Sequence, residues 1–430
     1  MITFEPSDDQ KLMIESVAQF ARTVLRPRLR ETERQRSLPE DVRKTAHDLG
    51  LGVVALPESV GGAGLGLLTA ALLEEEIAWG DPAAAFAFGG PGAFGLAVTE
   101  LATQAEATAL LAPFVSEGGH ERFAAVAWGE AKPVADRAGF ATVARPDETG
   151  SEKGFRISGE KAFVVNADRA ETFLVFAQVE ADKGFSGLGA FVVPKTARGL
   201  TVLPRATTLG LDAASFGGIR LEDVVVPASA RLGAHLDAAA FSAALVRFFA
   251  RSALVVAARG VGLSRAAFEV TREYVDGRKA FGKPIGHFQA VAFTVADRAI
   301  DVEAARTLVW KAASSWDAFD RARWNLPPLG DPAKNAPTPD ERACLLATAR
   351  AVATTHEAAM RCGDDGVQLH GGAGFMRDYP VEKLMRDAKQ IGLCTLTAEH
   401  ADQLAAACTL GLPIDPALVL PTAESQNAFV

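Results

Sequence analysis

Two C-terminal blocks carry the side chains best suited to hold a ligand, Arg278-Lys279-Ala280-Phe281-Gly282 and Gln368-Leu369-His370-Gly371-Gly372. A guanidinium offers paired planar donors to a phosphate or carboxylate, and adjacent glycines let a backbone approach closely. The formal net charge of −9 leaves no general basic field, so nucleic acid is not an expected partner and any bound phosphate must be held by local groups. Taken alone, Arg278 reads as a solvated charge at a helix end. Glu269 and Glu273 read as solvated positions on a helix, and Glu399 as an exposed charge at a helix start. His356 joins the apolar face of its helix. Four cysteines, Cys344, Cys362, Cys394 and Cys408, form no C-x-x-C pair and fall in helical segments, which predicts buried free thiols in a reducing compartment. No His, Cys, Asp or Glu grouping has metal-site spacing, so no metal is expected.

The elements that must position these residues follow from period and punctuation. Ser7-Asp8-Asp9-Gln10 has capping-box form, with Met13, Val17, Phe20 and Val24 following at helical spacing, so a helix starts near Ser7. Helical pattern continues past Pro57, Gly61-Gly62 and Asp81-Pro82 to about Gly118, predicting an α-helical domain over 1–120. Runs rich in Val, Phe, Ile and Thr at Arg122–Trp128, Phe155–Val165, Thr172–Val179, Leu188–Val193, Leu200–Leu203 and Phe216–Val226 predict a small β-barrel or sandwich over 121–236. Pro146 to Gly154 reads as its hairpin loop. From Asp237 the helical period returns. Phe249, Ala253, Val256, Gly260, Leu263, Ala267, Val270 and Tyr274 mark one long helix, and Val291, Val295, Val302, Ala305, Val309 and Ala312 a second. Thr338-Pro339-Asp340-Glu341 opens a third, which stops at Gly363. The expected fold class is α+β, closing with a C-terminal four-helix bundle over 237–430. Asn325–Pro339, with prolines at 327, 328, 332, 337 and 339, reads as a stiff surface loop. The longest weakly polar stretch, Ala83–Val98, is glycine-rich and short of the ~20 residues that span a bilayer. The N-terminus has no signal-peptide pattern. A cytoplasmic protein without membrane contact is expected.

Five blocks in order then carry a resemblance: Gly159-Glu160-Lys161-Ala162-Phe163-Val164-Val165-Asn166, Leu221-Glu222-Asp223-Val224-Val225-Val226-Pro227, Arg278 to Ile285 with Gln289-Ala290-Val291, Gln368 to Gly372, and Tyr379 to Lys389. Together with Pro57-Glu58 and Gly61-Gly62-Ala63-Gly64, they resemble the acyl-CoA dehydrogenase family over nearly the whole chain. The resemblance implies FAD at a subunit interface and α,β-desaturation of an acyl-CoA thioester. In that reaction a carboxylate takes the α-proton and the flavin accepts the β-hydride. It assigns Arg278 to the pyrophosphate of a FAD bound mainly by the neighbouring subunit, and Phe281, Gln289, Gln368, Gly371 and Gly372 to the ADP half. At His370 it implies a packing residue.

The resemblance also exposes losses. Where the family carries T-E-P-x-x-G-S-D and W-I-T beside the flavin ring, this chain has Gly129-Glu130-Ala131-Lys132-Pro133-Val134-Ala135-Asp136 and Phe163-Val164-Val165. Gly129, Ala135 and Val165 replace hydroxyl residues, and no Ser or Thr occurs from Gly129 to Gly139. The family's base position holds Thr395, and its alternate position, on the long helix, holds Ser252. Neither ionises near neutral pH. The expectation is a subunit of a hetero-oligomeric, FAD-dependent acyl-CoA dehydrogenase that completes the ADP half of a homologous partner's FAD site, with acyl-CoA as substrate. Alternatives open at this level are a flavin monooxygenase or oxidase on the same fold, a non-catalytic structural subunit, and a stand-alone dehydrogenase using Glu399.

Overall fold

The Ser7 hydroxyl accepts the Gln10 amide and Gln10 returns a bond to the Ser7 amide, so the capping box starts α1 (Asp8–Phe20) where the sequence places it. The computed structural model describes residues 5–131, 139–148, 153–323 and 338–419. Ala135 and most of the proline-rich 325–339 segment lie outside them. After a π-turn at Ala21–Leu25 come α2 (Arg26–Gln35), α3 (Glu40–Asp48), α4 (Gly66–Gly80), α5 (Ala84–Ala87), α6 (Gly92–Leu101) and α7 (Gln104–Val115).

Strands follow: β1 (Ala124–Ala127), β2 (Val143–Asp147), β3 (Gly154–Val165), β4 (Thr172–Gln178), β5 (Leu188–Pro194), β6 (Leu200–Leu203), β7 (Phe216–Pro227) and β8 (Arg231–Leu232). They form one eight-stranded sheet, ordered β6-β7-β3-β2-β4-β5-β8, with β1 pairing parallel to β4. Phe173, Val175, Phe191, Ile219 and Val224 fill its interior. The residue runs did not signal β2, which reads Val-Ala-Arg-Pro-Asp, or the two-residue β8.

The C-terminal part holds α8 (Ala238–Gly277), a hairpin of β9 (Lys279–Ala280) and β10 (Lys283–Pro284), then α9 (Gln289–Arg323), α10 (Glu341–Leu369), α11 (Val381–Ile391) and α12 (Ala398–Leu410). α8, α9, α10 and α12 make the bundle. Trp316–Thr348 at 2.9 Å and Arg298–Asp365 at 2.6 Å tie α9 antiparallel to α10. A Cβ on Gly260 would stand 2.7 Å from Thr355 Cγ2, so α8 and α10 approach closely there.

Three expectations are corrected. The cap of α10 is Asp340, whose carboxylate accepts the Ala343 amide at 2.8 Å, leaving Thr338 and Pro339 outside the helix. α10 also runs through Gly363 to Leu369. That glycine serves packing, since a Cβ would lie 2.8 Å from Met385 Cα of α11. Cys394 sits in the turn after α11, although all four thiols are free. Ala83–Val98 forms short helices as expected, but α8 is long and apolar enough to cross a membrane by length and composition, with 72% of its most apolar window buried inside the fold.

Buried charges stitch the three parts together. Lys383 of α11 is fully buried and bonds Asp387 at 2.6 Å and Asp81, just after α4, at 3.0 Å. Asp81 also accepts the Thr32 hydroxyl, and Asp387 the amide of Leu211. The start of α4 has no cap of its own. Asp317 of α9 accepts the amides of Leu67 and Leu68 at 2.6 and 2.9 Å, and Gly66, at φ +82°, leaves it room. Burial pushes the Asp317 pKa up to about 6.

Candidate functional site

Arg278 caps the C-terminus of α8, its amide bonding the Tyr274 carbonyl at 2.8 Å. The hairpin beyond it turns on two residues, Phe281 at φ +51° and Gly282 at φ +84°. Positive φ at both positions is the type I′ geometry that matches strand twist. Phe281 occupies it as a non-glycine residue at a cost of about 1–2 kcal/mol. Its ring is 96% exposed, touching only Phe288 edge-on at 6.2 Å among the ring contacts of the described residues. Gln289 opens α9, and Phe293 and Ile300 continue an exposed apolar edge along that helix.

Tyr274 joins this block to the second one. Its ring stacks on His370 at 4.1 Å and its hydroxyl donates to the His370 carbonyl at 3.2 Å. Tyr379 packs edge-on against both rings at 5.5 Å. Arg278, Tyr274, His370 and Tyr379, with Arg26, Trp79, Glu269 and Glu273, line a groove of about 660 Å³. A Cβ on Gly371 or Gly372 would meet nothing within 4 Å, so both leave an open cradle. Gln368 is in the last turn of α10, and all six expected cofactor residues are exposed. His370 packs as the resemblance implies. Its Nδ1 donates to the Gly366 carbonyl, and burial lowers its pKa against the opposing pull of that bond. Arg26 and Trp79 went unnoticed in the sequence, because only tertiary packing brings α2 and α4 here. Glu269 is more than a solvated charge, since it accepts the Trp79 indole N–H at 2.7 Å.

On the side expected to face a flavin ring, Val165 ends β3 and packs partly buried against the core without a donor. Phe163 stands 71% exposed at φ +53°, at the register break of β3 against β7. Gly129 cannot enlarge easily, because a Cβ would sit 2.9 Å from the Ala162 carbonyl oxygen. Glu130 is engaged, bonded to Lys161 and accepting the Thr142 amide and hydroxyl at 3.0 and 3.2 Å. Lys161, fully buried, also donates to the Trp128 carbonyl, and burial pulls its pKa down to about 8 against the pull of Glu130.

At the base positions the hydroxyls of Thr395, between α11 and α12, and Ser252, on α8, are both buried without a hydrogen-bond partner. Each is left a polar group with unmet capacity and no accessible anion. Glu399 lies exposed in the first turn of α12, its pKa held low by its own amide and the Thr397 hydroxyl. Behind the turn, His356 is buried with both ring nitrogens unpaired, and desolvation pushes its pKa down to about 4. A Cβ on Gly392 would touch that ring at 3.7 Å. Folding also gathers Glu40, His120 and Glu121, with ligand-type atoms within 4.8 Å of one another, a grouping that residue spacing did not signal.

Comparison with known proteins covers all three parts of the fold. Residues 7–118, 125–224 and 241–393 match the N-terminal, middle and C-terminal domains of acyl-CoA dehydrogenase. The chain is 30% identical over 404 residues to the probable acyl-CoA dehydrogenase YngJ of Bacillus subtilis, covering 93% of this chain and 97% of that protein. It is 30% identical over 403 residues to cyclohex-1-ene-1-carbonyl-CoA dehydrogenase of Geobacter metallireducens, covering 91% and 95%. The structure of butyryl-CoA dehydrogenase from Megasphaera elsdenii superposes with a TM-score of 0.80 at 25% identity, covering 95% of this chain and all of that one. By sequence and by fold, the chain belongs to the acyl-CoA dehydrogenase family of flavoprotein oxidoreductases.

Proposed function

We propose that this chain is a cytoplasmic subunit of an oligomeric, FAD-dependent acyl-CoA dehydrogenase, and that it completes the ADP half of a FAD site on a homologous partner subunit. The observation that carries this reading is the hairpin: an aromatic side chain 96% exposed on a left-handed backbone is poorly placed for a chain working alone. Arg278 offers paired donors to a pyrophosphate, the open backbone at Gly371 and Gly372 admits it closely, and the Tyr274 and Tyr379 rings wall the groove. Those residues fit the ADP half. The ring side does not fit, because Val165 supplies no donor and Gly129 has no room for one in its side chain.

FAD, when bound, supplies the hydride acceptor. This chain's residues bind and enclose, but none at the base positions takes the α-proton of an acyl-CoA thioester, because Thr395 and Ser252 lack an accessible ionised form. The carboxylate therefore belongs to the partner. Acyl-CoA as the substrate class rests on the names of the relatives.

The test is visible absorption of the chain purified alone and together with its most similar co-encoded homologue. Little or no flavin alone, and sub-stoichiometric flavin that acyl-CoA bleaches by reducing it in the mixture, is the expected result. Full flavin occupancy in the chain alone, with reduction of that flavin by acyl-CoA, would sink the proposal. Rapid reoxidation by oxygen would point instead to oxidase or monooxygenase chemistry.

A further inference from the structure

Four arginines from three parts of the chain come close together, two of them donating to the backbone carbonyl of a third. Arg36 follows α2 in the left-handed region at φ +53°, Arg43 lies on α3, Arg169 in the β3–β4 turn and Arg205 after β6. Arg169 Nη2, at 3.4 Å, and Arg205 Nη1 both donate to the Arg36 carbonyl oxygen. Arg36 in turn donates to the Ala206 carbonyl at 2.9 Å, and Arg43 to the Leu38 carbonyl at 2.5 Å. Arg205 also bonds the carbonyls of Asp212 and Ala214. Backbone oxygens thus fix the guanidinium groups without neutralising them.

Each side chain keeps one buried N–H with no partner: Nε of Arg36, Arg43 and Arg205, and Nη1 of Arg169. Burial lowers the pKa of Arg169 and Arg205. Arg43 adds to this for Arg169, and Arg36 and Arg169 for Arg205, while Asp168 opposes it in both and Asp212 in the second. Among the described residues, those two carboxylates oppose the positive field at Arg169 and Arg205. Asp212 is 3.7 Å from Arg36 Nε, beyond hydrogen-bond reach, and is shared at 3.7 Å with Arg386. Asp168 is exposed. Four fixed guanidinium groups facing two weakly engaged carboxylates leave an excess of positive charge and unspent donors, which an oxyanion satisfies.

We propose that Arg36, Arg43, Arg169 and Arg205 form a binding site for a phosphate-bearing anion, apart from the Arg278 groove. Such a ligand would bridge the α2–α3 corner to the sheet. It would bear on the strand that ends at Val165, because Asn166 bonds Ser215 across the same segment and reaches the Phe86 carbonyl of the helical part.

The full chain is titrated with inorganic phosphate, pyrophosphate and 3′,5′-ADP at fixed ionic strength, by calorimetry and thermal shift. Arg36→Gly suits the left-handed position, so it removes a guanidinium while relieving strain. Arg169→Gln is the second variant, and Arg350→Ala, at an exposed arginine of α10, is the control. Saturable binding of at least one anion is expected, about tenfold or more weaker in Arg36→Gly and in Arg169→Gln, and unchanged in Arg350→Ala. Preference for 3′,5′-ADP assigns a nucleotide phosphate as the ligand, and equal binding assigns free phosphate. No saturable binding of any of the three anions by the wild-type chain, or undiminished binding in the folded double variant, overturns the proposal.

Discussion

Replacing Lys383 with methionine removes the cation bonded to both Asp81 and Asp387 and leaves those carboxylates, at 1% and 0% side-chain exposure, without it. Methionine matches the aliphatic stem, so the loss is electrostatic. Removing one partner of a buried ion pair costs about 3–5 kcal/mol. Unfolding entropy of about 2.1 cal/mol/K per residue over the 430-residue chain converts 4 kcal/mol into a fall in Tm of about 4–5 °C, if the whole chain melts cooperatively. Because the cluster ties three parts of the fold, a split transition is the alternative form of the same loss.

The pH dependence sharpens this. In the wild type the Lys383 pKa is raised by its two carboxylates, after a desolvation penalty that opposes them, so its contribution is full below the unfolded lysine pKa and disappears only in strong alkali. Asp387 has a raised pKa from burial even with Lys383 present. Without Lys383, one carboxyl of the pair keeps a proton in the folded chain that the unfolded chain gives up above about pH 4. The variant therefore loses up to about 1.4 kcal/mol per pH unit as pH rises, until that proton leaves. Urea unfolding at about pH 5 and about pH 8 should show the gap to wild type widening with pH. A gap within about 0.5 kcal/mol at both would refute the reasoning, because it would mean that the site is solvated.

Other outcomes follow from single contacts. His356→Leu should flatten acid lability: the depressed pKa of about 4 means stability present above the unfolded value near 6.5 and lost as pH falls through 4, about 3 kcal/mol in all, measured by urea midpoints at either end. Gly66→Ala combines φ +82° with a Cβ 2.8 Å from the Asp317 carboxylate, and should cost about 2 kcal/mol or more in thermal melts. Phe281→Gly should leave the isolated chain as stable or slightly more so, yet weaken association with the flavin-bearing partner about 30-fold, read by sedimentation.

Local rules made much of the fold legible. The capping box at Ser7, the β-rich runs and the apolar spacing of α8 and α9 act through neighbours in sequence. The end of α10 was misread because Gly363 carries a stop signal locally, while its role is contact with α11. Charged residues defeat pattern reading most thoroughly. Lys161, Lys383 and Asp387 look like surface residues in sequence and are fully buried. At the candidate site the Arg278 and Gln368 blocks were recognisable as ordered strings, but the walls given by Arg26 and Trp79 exist only through packing. The arginine cluster was equally invisible, since Arg36 and Arg205 lie far apart in the chain and meet through a carbonyl bond.

The borrowed cap on α4 sets a timetable for synthesis. Asp317 follows Leu67 by 250 residues, so at about 5–20 residues per second a ribosome makes the helix roughly 12–50 s before its N-terminal amides can find their carboxylate. The amino-terminal helices thus emerge in an unfinished state, with apolar surface such as Leu67, Ala71 and Phe94 waiting for a bundle not yet translated. Nascent chains halted before residue 317 should be marked clients of chaperones and proteases, and release from them should coincide with the arrival of α9.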